Sequence, residues 1–381
     1  MSARITTEDG FRQTVDVVRG VAIIGVVAVH FGGSFVTPTN AWTPSFELGL
    51  LVNQAFSFGV PLFVFLAGLL GRRSCERPDF RFGRFYRHRL LRLLPSYLVV
   101  SAASFWLLNH IPEWRTMTSI GDRFGWLLQK LFVFGMEPTL YFVPLLLQLT
   151  ILQPFLARMP RWISARLARG AKSVWLCPDR IALYLAGLLF GLHIGVAHLC
   201  FRGQLNYYVW GRPSALFWTF LFFVGLHCDS FTGLLPRRLK TPLFWCSVAV
   251  AAGAMAFNWM QLHDRSAVGT RFEHSGVDYA YVRPVILVFN LSVLVAFTLW
   301  LEIGRPLHQG MMELCGRCTY AIYLWHILFL YYFAWSRPDA LGACHRLPEL
   351  IVFVSLFTAL VIAAAAEARQ LITSTLFPAK H

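Results

Sequence analysis

Acidic side chains are scarce in this chain. Its 381 residues include only 19 Asp and Glu against 34 Lys and Arg, and charged residues make up 14% of the total. A soluble domain carries about 25%. With 56% hydrophobic residues, the chain has too little charge to solvate a water-facing surface. Long polar connections are also missing. The longest is about thirty residues, below the usual size of an independent domain.

Other signatures are absent. There is no glycine-rich phosphate loop and no Gly-x-Ser-x-Gly elbow, so nucleotide-driven pumping and soluble hydrolase chemistry have no footing. No repeat of 20 to 50 residues, no low-complexity segment and no pair of broken helices in matching halves is present. The eight cysteines are scattered, with no disulfide framework; Cys200 and Cys344 fall near one predicted face. Cys315-Gly-Arg-Cys318 is a lone C-x-x-C without a second pair or histidine ligands, so no metal is expected. No cleavable signal peptide is read. The first apolar run follows Glu8, Asp9 and Asp16 and lacks a small-residue cleavage site, so it is expected to stay as the first span.

Apolar length is what remains. Stretches of 16 to 23 nearly uncharged residues predict an all-α integral membrane protein of about ten transmembrane helices. They run Val18 to Val36, Leu48 to Leu70, Leu90 to Asn109, Leu140 to Leu156, Ile181 to Phe201, Pro213 to Cys228, Leu243 to Trp259, Tyr281 to Leu301, Tyr320 to Trp335 and Leu350 to Ala366. Trp126 to Phe134 is too short to span and is read as interfacial. One polytopic domain is expected over 1–381, with a polar N-terminal segment 1–15 and a short tail 367–381. The net charge of +15 comes mostly from segments on one side, which places both termini in the cytoplasm. Such loops also attract anionic lipids and phosphorylated cofactors. No nucleic-acid partner is expected.

Three places carry candidate chemistry. In the first span, Arg19 and His30 are eleven residues apart, three turns plus about 20°, so they share a face with His30 roughly 16 Å deeper. An ionisable group at that depth is costly and marks a functional site, unless a neighbouring helix satisfies it. Asp16 stands three before Arg19 and can pair with it. Arg89 and Arg92 also share a helix face, where two forks suit phosphate oxygens or lipid headgroups. Tyr323 and His326 can face the bundle together, as substrate-orienting groups or as part of an aromatic belt. His193 and His198 are five apart, unlike a helical metal pair, and are read as packing residues. Gln148 and Asn290 are read as interhelical hydrogen-bond partners.

These residues resemble the acyltransferase-3 family of polytopic membrane acyltransferases. The likeness rests on Asp16-x-x-Arg19-Gly20 with His30, on Gly59-Val-Pro-Leu-Phe-Val-Phe-Leu-Ala67-Gly68, on Arg89-x-x-Arg92-x-x-Pro95 and on Tyr320-Ala-Ile-Tyr323-Leu-Trp-His326. Tyr141-Phe-Val-Pro144 and Pro154 match more loosely. Where the family often has Ser-Gly this chain has Ala67-Gly68, so a hydroxyl there cannot be essential. It is expected to lack the C-terminal esterase-like domain of many members.

The resemblance implies transfer of an acyl group, usually acetyl, from acyl-coenzyme A to a hydroxyl of a surface or exported carbohydrate, in a bacterial inner membrane. Arg89 and Arg92 would hold the donor's phosphates. His30, supported by Arg19 and Asp16, would act as general base or take the acyl group itself. Tyr323 and His326 would touch substrate or support His30. The acceptor, lipid-linked or free, would meet the opposite-side loops; Asp264 to Arg283 reads either as part of such a site or as an ordinary solvated loop, and polysaccharide-assembly proteins are expected partners. A sugar or lipid-linked glycan exporter is the competing class, disfavoured because carboxylates inside the spans are almost absent.

Overall fold

The computed structural model describes residues 8–36, 43–107, 111–167, 176–263, 280–303 and 310–336. The tenth expected span, Cys344, the tail 367–381 and most of the loop from Asp264 lie outside them. Every regular element among the described residues is helical, and eight stretches are long and apolar enough to cross a membrane. In chain order the helices are α1 (Glu8–Ser34), α2 (Pro44–Ala55), α3 (Gly59–Cys75), α4 (Phe82–Leu107), α5 (Ile111–Thr116), α6 (Ile120–Gln129), α7 (Phe142–Leu167), α8 (Pro178–Phe201), α9 (Ala215–Leu226), α10 (Cys228–Leu234), α11 (Arg237–His263), α12 (Pro284–Ile303), α13 (Met311–Arg317) and α14 (Thr319–Ser336). Each of the first eight expected spans falls on a long apolar stretch, and the ninth falls on the shorter Thr319–Leu330.

The second span departs from its expected continuity. It is two helices, α2 and α3, joined by a tight turn at 56–58. Thr43 caps α2 by accepting from the Phe46 amide at 3.3 Å. Pro61 accounts for the interruption: it has no N–H to give the Ser57 carbonyl, whereas the first turn of a new helix tolerates it.

The described residues form two compact units, Met1–Gly59 with Gly304–His381, and Val60–Ile303. In the first, α1 packs on α2, α13 and α14. Its core face is apolar, with Val18, Ala22, Ile23, Val26, Val27 and Ala28 buried. Backbones meet where α1 crosses α13. A Cβ on Gly20 would overlap the Met312 carbonyl, and one on Gly316 would overlap the Asp16 carbonyl. Membrane helices approach this closely only through small residues.

In the second unit α7 packs on α4, α8 and α9, and α11 packs on α12. The same small-residue contact recurs between α3 and α9. A Cβ on Gly68 would meet the Phe222 carbonyl, and one on Gly225 the Phe65 carbonyl. Exposed Val99, Ile151, Leu188, Trp245 and Met260 suit a hydrocarbon surrounding, where helices satisfy their own backbone polar groups. The run read as interfacial is α6 followed by a π-helical turn, Lys130–Phe134, with no buried residue. Trp114, Trp126 and Phe105 cluster beside it with ring centroids 5.8 to 6.2 Å apart.

Candidate active site

Helix α1 presents its polar residues at two levels. At the lower one Arg19 Nη1 donates to Asp16 Oδ1 at 3.0 Å, and the two side chains are 24% and 23% exposed. An i, i+3 spacing brings them together as the sequence predicts. The Glu313–Arg317 ion pair belongs to α13, the helix that crosses here.

Three turns further along, the half-buried His30 ring stacks on His326, with centroids 5.3 Å apart and planes 30° from parallel. His326 is fully buried. Its Nδ1 lies 2.6 Å from the Tyr323 carbonyl; a carbonyl only accepts, so Nδ1 carries the proton and Nε2 keeps its lone pair. That Nε2 is buried with no hydrogen-bond partner among the described residues. The Tyr323 ring lies 5.8 Å from His326, centroid to centroid. His30 and the Tyr323/His326 pair, singled out on separate grounds, therefore meet in one place.

The sequence reading passed over Asn53 and Gln54. Both are buried. Asn53 Nδ2 donates to the carbonyl of Val29, the residue before His30, at 2.8 Å, and Gln54 Nε2 donates to Asn53 Oδ1 at 2.8 Å. They tie α2 to the turn of α1 that carries the histidine. Adjacent amides inside an apolar span were a visible clue to a polar contact.

Arg89 and Arg92 belong to the second unit. Arg89 is half-buried on α4, its guanidinium 5.6 Å from the Phe85 ring centroid, and Arg92 is exposed one turn on. Neither has an ion pair among the described residues, whereas nearby Arg84 pairs with Asp79, and Arg72 and Arg161 both pair with Glu76. Pro95 sits inside α4 and cannot donate to the Leu91 carbonyl.

The remaining candidates are structural. Gln148 bridges to α9, donating to the Pro213 carbonyl at 3.1 Å and accepting from the Ala215 amide at 3.0 Å. His193 packs on Phe217 with ring centroids 4.3 Å apart, and His198 is exposed. Burial pushes the thiols of Cys75, Cys315 and Cys318 up from their ordinary value, a setting for inert thiols rather than thiolate nucleophiles.

A family model described as an acyltransferase domain matches residues 12–367, nearly the whole chain. No curated protein and no solved structure matches it.

Proposed function

The chain belongs to the acyltransferase-3 family of polytopic membrane acyltransferases, and on that premise we propose that it moves an acyl group, acetyl in the simplest case, from acyl-coenzyme A to a hydroxyl of a cell-surface or exported carbohydrate. The observation that supports this reading best is the His30–His326 stack inside an apolar bundle. A bundle of that kind limits hydrolysis of a thioester by keeping water away.

His30 is the proposed base. It takes the proton of the acceptor hydroxyl as that oxygen bonds to the thioester carbonyl carbon. The carbon–sulfur bond then breaks, and the imidazolium returns its proton to the departing thiolate. His326, with its tautomer fixed by the Tyr323 carbonyl, holds the His30 ring in place. Asp16 keeps Arg19 extended on the same helix. Arg89 and Arg92, cationic and without carboxylate partners among the described residues, suit the phosphates of the donor, which charged forks hold by short, charge-assisted hydrogen bonds. The bacterial inner membrane is the setting in which a cytoplasmic donor and an exported glycan coexist.

Purified protein in nanodiscs, given radiolabelled acetyl-coenzyme A and candidate glycans, is expected to label the glycan. Label retained on the protein itself would instead favour transfer through an acyl-histidine. Label on neither, across a broad acceptor panel, counts against the reading.

A further inference from the structure

A separate polar group lies wholly within the second unit. Tyr141 stands just before α7, Arg212 in the turn before α9, and Tyr281 in the short 3-10 turn Ala280–Val282. The Arg212 guanidinium is 4.5 Å from the centroid of the Tyr141 ring. Tyr207 and Tyr281 are also close enough to act on this cation. The backbone here is pinned: the Trp218 indole N–H donates to the Arg212 carbonyl at 2.9 Å, and the Trp218 ring packs edge-on against Tyr281 at 5.2 Å.

Charge is not balanced within the group. No carboxylate among the described residues acts on Arg212, and phenols are neutral at neutral pH. The face of an aromatic ring offsets only part of the cost of withdrawing a cation from water. Two further groups are unsatisfied. Tyr141 is 3% exposed, and its hydroxyl faces the Arg212 guanidinium and the Tyr281 phenol without a well-formed hydrogen bond to either. His193, buried beside Trp218 and Tyr281 around a small cavity, gives its Nδ1 proton to the Phe217 carbonyl at 2.6 Å and keeps a bare, buried Nε2. The Arg212 group thus offers a guanidinium fork, a phenol donor and aromatic rings, while His193 faces a small cavity behind Trp218 and Tyr281 that neither Arg212 nor Tyr141 lines. A carboxylate or phosphate takes the fork, and a sugar ring packs on the rings.

We propose that Arg212 and Tyr141, flanked by Tyr281 and Trp218, bind the oxyanion of an acidic carbohydrate, either a sugar carboxylate or a sugar phosphate. The spans alternate in direction, so this group lies at the helix ends opposite the basic Arg72–Arg92 segment. Under the orientation set by the basic residues that end is extracytoplasmic, where an exported or lipid-linked glycan is met. As a binding site it stands independently of the transferase reading. Only the name acceptor for its ligand rests on that reading.

The test reads binding, not transfer, so its failure is distinguishable from failure of the transferase reading. The melting temperature of the full-length protein in detergent is followed while sodium glucuronate, glucose 1-phosphate or glucose is added at constant ionic strength. One or both acids should raise it saturably and neutral glucose should not; the acid acting at the lower concentration identifies the source. Arg212→Gln should abolish the shift. Arg212→Lys and Tyr141→Phe should each raise the half-saturating concentration tenfold or more, and they carry the test if Arg212→Gln does not fold. No shift with either acid, an equal shift with glucose, or wild-type half-saturation in the variants that fold overturns the proposal.

Discussion

His30 and His326, 296 positions apart in the chain, stack at 5.3 Å between ring centroids. One ring is half-buried and the other is sealed, with its tautomer set by the Tyr323 carbonyl. In the proposed reaction that asymmetry would divide the labour: the more accessible ring would meet substrate and the sealed ring would position it.

Replacing His326 should therefore separate packing from polarity. His326→Phe keeps a flat ring against His30 and is expected to retain most of kcat. His326→Ala removes the stack on His30 and should lower kcat about 10- to 100-fold, since small misplacement of a catalytic group is costly. KM for the donor should change little in either. Steady-state kinetics on both variants checks this, and equal losses would assign His326 a direct chemical part.

The crossing of α1 with α13 should tolerate no side chain. Gly20→Val has to displace the Met312 backbone, and overpacking of this kind costs about 1–3 kcal/mol or more. The expected result is a lower melting temperature in detergent and poor yield. Gly187→Val, on the open face of α8 where an added Cβ meets nothing within 4 Å, should have little effect.

Arg89 and Arg92 should act on donor binding. Hydrogen bonds to charged groups contribute about 1.5–3 kcal/mol each. Arg89→Gln or Arg92→Gln should then raise KM for acyl-coenzyme A roughly 10- to 100-fold while kcat changes far less. Raising the salt concentration should weaken donor binding in the wild-type protein more than in the double variant. An unchanged KM would leave the pair as lipid-headgroup anchors.

The spans were legible because each is a long uncharged run and hydrocarbon demands helix. The Asp16–Arg19 pair and the common face of Arg19 and His30 were legible too, since both follow from helical periodicity over a few turns. The break between α2 and α3 was written in Gly59-Val-Pro61, but mean apolarity across the stretch hid it. The stacking of His30 on His326 and the hold of Asn53 on Val29 depend on which helices pack together, and no local pattern encodes that. The Arg212 group was hidden for the same reason, with its residues drawn from three separate turns.

The most direct test compares His30→Ala with the wild-type protein in single-turnover transfer of label from acetyl-coenzyme A to glycan, with circular dichroism and melting temperature as controls for folding. Loss of a general base costs about 10²- to 10⁴-fold, so the account predicts a rate at least 100-fold lower in a folded variant that still binds the donor. A folded His30→Ala protein that transfers label at the wild-type rate would contradict it.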